Sequence, residues 1–422
     1  MSEPGSSGKS AVPTGTEASR TRVPVFETLG IRSFRFLLAD SAFNMMGFQA
    51  RIMAQAWLVL SMTDSDLWVG VVNGLPAIPV VFLTLFGGVM ADRLDRRVML
   101  VWTRVGMASL GVMTALLITA DVVELWHLMV IAFFVAVTQA LGVIASQTMI
   151  IDIVGRERIF NANALFGSTF NFSMFAGPAV GGVLIARVGI DAAFYSIAGM
   201  LALAVYAAWN VRVKQPARVG PQTSVMRDLQ DGLRYILGTP VFRWLLVLSF
   251  SLVFAGLWMP LLPRYARDVL DTGADGYGII LAAQGVGGIV GVITLIAAGS
   301  VRALGRILVV STLTFTLLMV VFIFSTSITL SASIAAGFGF IIVWWANSMR
   351  VAFQISARDA MRGRVMSIFA IISQIFSVSW LVGGALSELI GPQATMMSGM
   401  VVCAAFYVTA YVRSPEIRTL GS

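Results

Sequence analysis

A chain of 422 residues that is 58% apolar and only 12% charged has too little polar surface for an ordinary soluble enzyme, and too much Phe, Leu, Ile and Val to stay unfolded in water. Its net charge of +8 comes from Lys and Arg in ones to threes between long apolar runs, with no continuous basic face for nucleic acid; basic loops beside a membrane explain it. One histidine, His127, and one cysteine, Cys403, cannot supply a zinc site or an intrachain disulfide, and no serine carries the marks of a nucleophile elbow, so no metal, cofactor or catalytic centre is expected.

Residues 1–33 are rich in Ser, Gly, Thr and Pro and read as a disordered cytoplasmic leader, not a signal peptide. Gly5 to Ser10 imitates a phosphate loop, but the glycine spacing is wrong and no strand precedes it. From Phe34 onward twelve apolar runs follow, near 35–61, 67–91, 98–120, 124–151, 160–186, 190–211, 241–263, 276–299, 306–326, 329–355, 364–389 and 393–412. As helices they are long enough to cross a hydrocarbon core about 30 Å thick, and lipid leaves backbone polar groups no other partner than the helix itself.

The expected fold is therefore an all-α membrane protein with twelve transmembrane helices in two six-helix bundles, 34–211 and 241–413, joined by a cytoplasmic linker, 212–240, and followed by a tail, 414–422. Within the linker, Val225, Leu229, Leu233 and Ile236 recur at helical spacing and predict an amphipathic helix on the membrane surface; a solvated linker helix is the alternative. Basic residues crowd one set of connections, as at Arg93, Arg96, Arg97, Arg156, Arg158, Arg358, Arg362 and Arg364. The other set holds Arg187, Arg264 and Arg267 among acidic residues such as Asp64, Asp66, Asp268 and Asp271. That asymmetry predicts a cell-membrane protein with both termini cytoplasmic.

A period of about 205 residues relates the halves: Gly70 matches Gly278, Gln147 with Asp152 matches Gln354 with Asp359, and Gly181, Gly182 and Gly189 match Gly383, Gly384 and Gly391. Parallel repeats of this kind are a transporter pattern, with a substrate site expected between them. In the first run Asp40, Asn44, Gly47, Arg51 and Gln55 fall on one helical stripe. Ionisable groups deep in a membrane are costly enough that they usually face a cavity or a partner. Arg51, near mid-depth, is thus the leading candidate for substrate or counter-ion contact, and Asp40 for indirect pairing with it or proton exchange. A structural ion pair with another helix remains the alternative. Gln139 in the fourth run is a weaker cavity candidate. The 22 Met and 27 Phe could line a pliable apolar cavity, although most must face lipid or other helices.

Between the second and third runs, Gly88-Val89-Met90-Ala91-Asp92-Arg93-Leu94-Asp95-Arg96-Arg97 resembles the signature of the major facilitator superfamily, with Asp95 where that family usually has glycine. The resemblance implies a cytoplasmic latch in which Gly88 allows close helix approach and Asp92 works with Arg93, Arg96 and Arg97; Arg104 is a candidate partner for Asp92 or Asp152. Gly177-Pro178-Ala179-Val180-Gly181-Gly182 is similar to the end of a motif of drug-exporting members, with Ser173 and Ala164 in place of upstream glycines. Proline bends a helix and glycines permit tight packing, so Gly177, Pro178, Gly181 and Gly182 are expected to form a pivot, or simply a kinked packing helix. The opening Ser33 to Leu38, the Trp57 to Leu60 run and Arg362 to Ser367 resemble the enterobactin-exporter and macrolide-efflux group.

That resemblance implies proton-driven export of a small amphiphilic molecule, a siderophore or drug-like compound, by alternating access in a lipid bilayer, by a monomer. The arginine expected in the fourth-span motif of many drug/proton antiporters is absent, with Gln139 and Gly142 in that region. A facilitator or importer of a small metabolite is the alternative within the class. A non-transporting receptor or scaffold is the alternative outside it.

Overall fold

The computed structural model describes residues 25–83, 95–155, 157–213, 225–299, 303–358, 361–418 and 420, all of it helix and short connections, with no strand among the described residues. Helix α1, Arg32–Thr63, carries the polar stripe over about 48 Å of rise. It stops where Asp64 turns left-handed and returns its N–H to Leu60. Helix α2, Asp66–Leu83, starts from Ser65, whose hydroxyl accepts from the Trp68 N–H. The departure at Asp95 has a local reason: its carboxylate caps α3, Arg96–Thr119, by accepting from the N–H groups of Arg97 and Val98. Helix α4, Leu125–Val154, opens with a capping box in which Nδ1 of His127 accepts from the Glu124 N–H, so the lone histidine serves a helix start.

The next helical stretch, Ile159–Asn210, would span about 78 Å if straight, more than twice a hydrocarbon core. It breaks instead at Gly189, where φ is 80° and ψ is 172°, a conformation open essentially only to glycine. The break divides it into α5 (159–188) and α6 (190–210). The second half repeats the device: Gly391, with φ 84° and ψ 160°, separates two helices at the matching place in the repeat. Gly189→Ala is expected to cost about 1–3 kcal/mol, seen as a lower melting temperature of the detergent-solubilised chain.

Helix α7, Val225–Gly238, falls within residues 212–240, the segment expected to be the linker. Ile236 is buried in the second-half core and Asp231 pairs with Arg364 at 3.7 Å, whereas Leu233 and Leu237 are about half exposed. Helix α8, Pro240–Phe250, then gives way to short turns that end in a π turn at Tyr265–Val269. The remaining helices are α9, Gly273–Ala298; α10, Leu304–Ile323; α11, Ile328–Ser356; α12, Arg362–Gln374; α13, Val378–Ile390; and α14, Pro392–Arg413. Eight of the described helical segments are long and apolar enough to cross a membrane, Ile159–Asn210 being represented by one of them.

The apolar core shows how the halves meet. At the end away from the chain termini, one cluster takes in both halves, with Val59, Val69 and Phe194 alongside Trp258, Tyr277 and Phe338. Toward the end that carries the termini it divides: Phe34, Leu100 and Met149 belong to a first-half cluster, and Phe242, Leu308 and Phe353 to a separate second-half cluster. Among the described residues the halves thus share one core at the far end and have separate cores at the terminal end.

Candidate substrate cavity and the far-end closure

A cavity of about 340 Å³ lies between the halves where the core divides. The first half contributes Gln49 and Met53 from α1 and Met174, Phe175 and Pro178 from α5. The second half supplies most of the wall: Trp258, Gln284, Ser311, Thr312, Phe315, Trp345, Arg350, Phe369, Cys403 and Tyr407 among others. Nearly all of this surface is aromatic, aliphatic or thioether, with a few polar groups to orient a guest, the composition usual for small-molecule sites.

The glycines of α5 explain why the cavity has this shape. A Cβ on Gly177 would stand 2.7 Å from Gln49 Cβ, and one on Gly181 would stand 2.9 Å from Ala50 Cα, so both seat α5 directly on α1. Gly182 faces the other way and meets Gly278 of α9, where an added Cβ on either would come within 2.5 Å of the other's carbonyl oxygen. Pro178, between them, lines the cavity. These residues therefore form the contact of α5 with both neighbours, one of them across the halves.

The polar stripe of α1 separates into two groups, neither of which lines the large cavity. Asp40, fully buried, receives two bonds from Arg104 of α3, at 2.7 Å from Nε and 3.1 Å from Nη2. One turn on, Asn44 donates to Gln139 of α4 at 2.8 Å. Arg104 fits because position 142 is glycine: a Cβ there would lie 2.3 Å from Arg104 Nη1. That nitrogen and Asn44 Oδ1 are buried without a protein partner, and both residues border a void of about 20 Å³, room for one water. Asn44, Gln139, Arg104 and Asp40 are thus brought together inside the first half.

Arg51 and Gln55 form the second group. Arg51, 3% exposed, donates to Gln55, which in turn reaches Asn73 of α2 at 3.4 Å. Its Nε has no partner, and no carboxylate of the described residues pairs with it. Of the two expected partners of Arg104, Asp92 lies outside the described residues, and Asp152 is not paired with it: Arg104 pairs with Asp40. Asp152 takes Arg96 instead, because Arg96 leads α3 beside the end of α4 while Arg104 lies two turns deeper, level with Asp40. Arg97 donates to the Trp209 carbonyl at 2.9 Å, so Arg96 and Arg97 tie α3 to its own half. Gly88, Asp92 and Arg93 lie outside the described residues.

At the far end is a polar closure, built from residues whose charges in the sequence indicate only topology. Arg264 of the second half donates from Nε to Asp66 at 2.8 Å and from Nη2 to the Asp64 carbonyl at 2.6 Å, and Arg267 pairs with the Asp64 carboxylate. Ser387 donates to the other Asp66 oxygen at 2.6 Å, and Ser65 to Glu388 at 2.6 Å. Arg267 and Arg264 hold the Asp64 carboxyl below its ordinary range. Beneath these pairs α2 and α13 are in backbone contact: a Cβ on Gly70 would lie 2.3 Å from the Trp380 oxygen, and one on Gly384 would lie 2.3 Å from the Asp66 oxygen. Opposite charge on facing loops was the available signal.

Two helical halves closed at one end around a central, mainly apolar cavity define a multi-pass membrane transporter of small molecules. The family described as transmembrane secretion effector matches residues 24–421, and the chain belongs to that family, within the major facilitator superfamily. Among relatives, the multidrug efflux pump Tap of Mycolicibacterium fortuitum is 26% identical over 383 residues, 87% of this chain and 92% of that one. The enterobactin exporter EntS of Escherichia coli is 26% identical over 73% of this chain and 74% of its own, and the staphyloferrin A transporter of Staphylococcus aureus 21% over 74% and 79%. The fold is similar to a D-xylose-proton symporter, at 12% identity and TM-score 0.71, covering 92% of this chain and 98% of that one. It is similar also to a bacterial homologue of the lysosomal transporter Spinster in an inward-facing, occupied conformation, at 14% identity and TM-score 0.69 over 92% and 98%.

Proposed function

We propose that this protein is a proton-coupled exporter that moves small amphiphilic molecules out of the cell by alternating access, working as a monomer in the cell membrane with both termini cytoplasmic. Twelve crossings, six on each side of residues 212–240, account for the repeat and for the basic loops on one side. In this reading the far end is the outside, and the conformer is closed outside and parted inside. The observation that carries the reading is the 340 Å³ apolar cavity between halves whose cores join at one end only. Export as the direction draws on the relatives, two of which are named as an efflux pump and an exporter.

Asp40 is the proposed proton carrier, since it is a carboxylate held inside the first half by a single arginine. Gly88, Asp92 and Arg93 are proposed to latch the inner side when the halves close there, with Arg96 and Arg97 bracing α3; the α5 glycines and Pro178 serve as pivot. Arg51, with Gln55 beside it, is proposed to reach the path in the conformer that opens outside. Inverted membrane vesicles given a proton gradient should accumulate compounds from a panel of siderophores and amphiphilic antibiotics. A protonophore should abolish that accumulation. Accumulation that ignores the protonophore removes the proton coupling, and a panel that moves only down its own gradient makes the protein a facilitator.

A further inference from the structure

We infer that the central cavity selects its cargo by charge: it takes neutral and anionic amphiphiles, with Arg350 as the anchor for an anionic group, and excludes permanent cations. This rests on the reading of that cavity as the substrate site, and adds to it the chemical class of the substrate.

The first support is the charge inventory of the wall. Among the described residues that line the cavity there is no Asp or Glu, and the one ionisable cation is Arg350 of α11. Arg350 lines the cavity and is exposed, about 9 Å before the end of its helix, and enters no ion pair with a described residue. A charge taken out of water into an apolar site needs a counter-charge, and a cation here would find a guanidinium instead. A carboxylate, sulfonate or ionised phenol would find a two-pronged donor.

The second support comes from the charges around the cavity. Within the spans, Asp40 is held by Arg104, Asp152 by Arg96, and Asp66 by Arg264. Of the charges without an ion pair among the described residues, Arg51 is buried in α1, two residues from both Gln49 and Met53, which line the cavity, and Arg350 stands at the cavity wall itself. The potential inside is therefore positive. Aromatic faces could offset this for a cation. Three of the lining rings, however, are already packed on other rings: Trp258 on Phe322 and Phe338, with ring centroids 6.0 and 5.2 Å away, Phe315 on Phe338 at 4.7 Å, and Phe369 on Phe353 at 4.9 Å.

The uncharged polar groups add a finer preference. Ser249, Ser251 and Thr312 donate their hydroxyl protons to carbonyls of their own helices, so they offer a guest acceptor oxygens only. Cargo hydroxyl or amide N–H groups suit them.

The test uses one ring system with three charges: 1-pyrenemethanol, 1-pyrenesulfonate and (1-pyrenylmethyl)trimethylammonium, bound to the purified full chain and read by energy transfer from tryptophan to pyrene. The wild type should bind the sulfonate at least about tenfold more tightly than the ammonium, with the alcohol between them. Arg350→Gln should remove most of the sulfonate advantage, Arg350→Lys should retain part of it, and Arg350→Glu should reverse the order. Partition into detergent is common to all variants, so the ratio between variants isolates Arg350. Ala346→Trp, which fills the cavity, should abolish binding of all three probes. If the neutral probe binds and Ala346→Trp blocks it, but the ammonium binds as well as the sulfonate and Arg350→Glu changes nothing, charge selection is overturned and the exporter reading stands. If the neutral probe fails to bind, or binds regardless of Ala346→Trp, the cavity is not the substrate site and both fall together.

Discussion

Replacing Asp40 with alanine is expected to destabilise the protein by about 3–5 kcal/mol, more than replacing Asp40 and Arg104 together by apolar residues of similar volume. The reason is an asymmetry of burial. Asp40 is fully buried, Arg104 is 2% exposed, and one guanidinium nitrogen already lacks a protein partner. Removing the carboxylate leaves a positive charge in a low-dielectric interior, with only uncharged polar groups such as Ser41, Asn44, Gln139 and Ser146 bordering the same void. Removing both charges leaves only a packing defect. Thermal unfolding in detergent of Asp40→Ala, Arg104→Met and Asp40→Leu with Arg104→Met measures the difference; a double variant as unstable as Asp40→Ala would show that packing, not the ion pair, sets the cost. Asp40→Asn keeps the shape and one acceptor oxygen while removing the titratable group. If Asp40 carries the proton, this variant equilibrates substrate without accumulating it. Gly142→Val should act on the same pair from the opposite wall, because its side chain would enter the space of Arg104 Nη1.

The comparison of sequence with structure turns on what periodicity can and cannot reveal. A stripe at intervals of three and four places Asp40, Asn44, Arg51 and Gln55 on one face of α1, and they do share a buried face. Spacing on one helix does not say which neighbour that face meets. Here α3, α4 and α2 meet it, while Gln49 and Met53 turn toward the cavity. The partner of Asp40 was hidden for the same reason: Arg104 is 64 residues away, and only the way α3 packs on α1 brings them level. The repeat was more legible, because Gly189 and Gly391 hold a backbone conformation that leaves a residue type in the sequence. Closely packed glycines were visible as a motif in α5. Their partners, Ala50 on one side and Gly278 on the other, follow only from the fold.

The far-end closure yields the second large expected effect. Arg264→Ala removes the cation from Asp66, whose residue is 3% exposed and which then keeps only the Ser387 hydroxyl. That should destabilise the closed far end by about 1–3 kcal/mol and shift the balance between conformers roughly 5- to 150-fold toward the one open at that end. Spin labels on Met62→Cys and Leu389→Cys, at the exposed ends of α1 and α13, report the separation. Arg264→Ala should populate a longer distance that the parent protein scarcely shows. Gly384→Val should do the same by steric wedging, without touching a charge, because its side chain would run into the Asp66 carbonyl. The Asp64 pair responds to pH in one direction only. Arg267 lowers the Asp64 carboxyl, so this contribution to closure is complete at neutral pH and is lost as the pH falls through that lowered value, in the acid range below the ordinary carboxylate pKa. The distance difference between Asp64→Asn and the parent should therefore vanish in acid and persist at neutral pH. An unchanged distance in Arg264→Ala together with a long one in Gly384→Val would mean that helix packing alone keeps the far end shut, with the ion pairs lying over a seal they do not control.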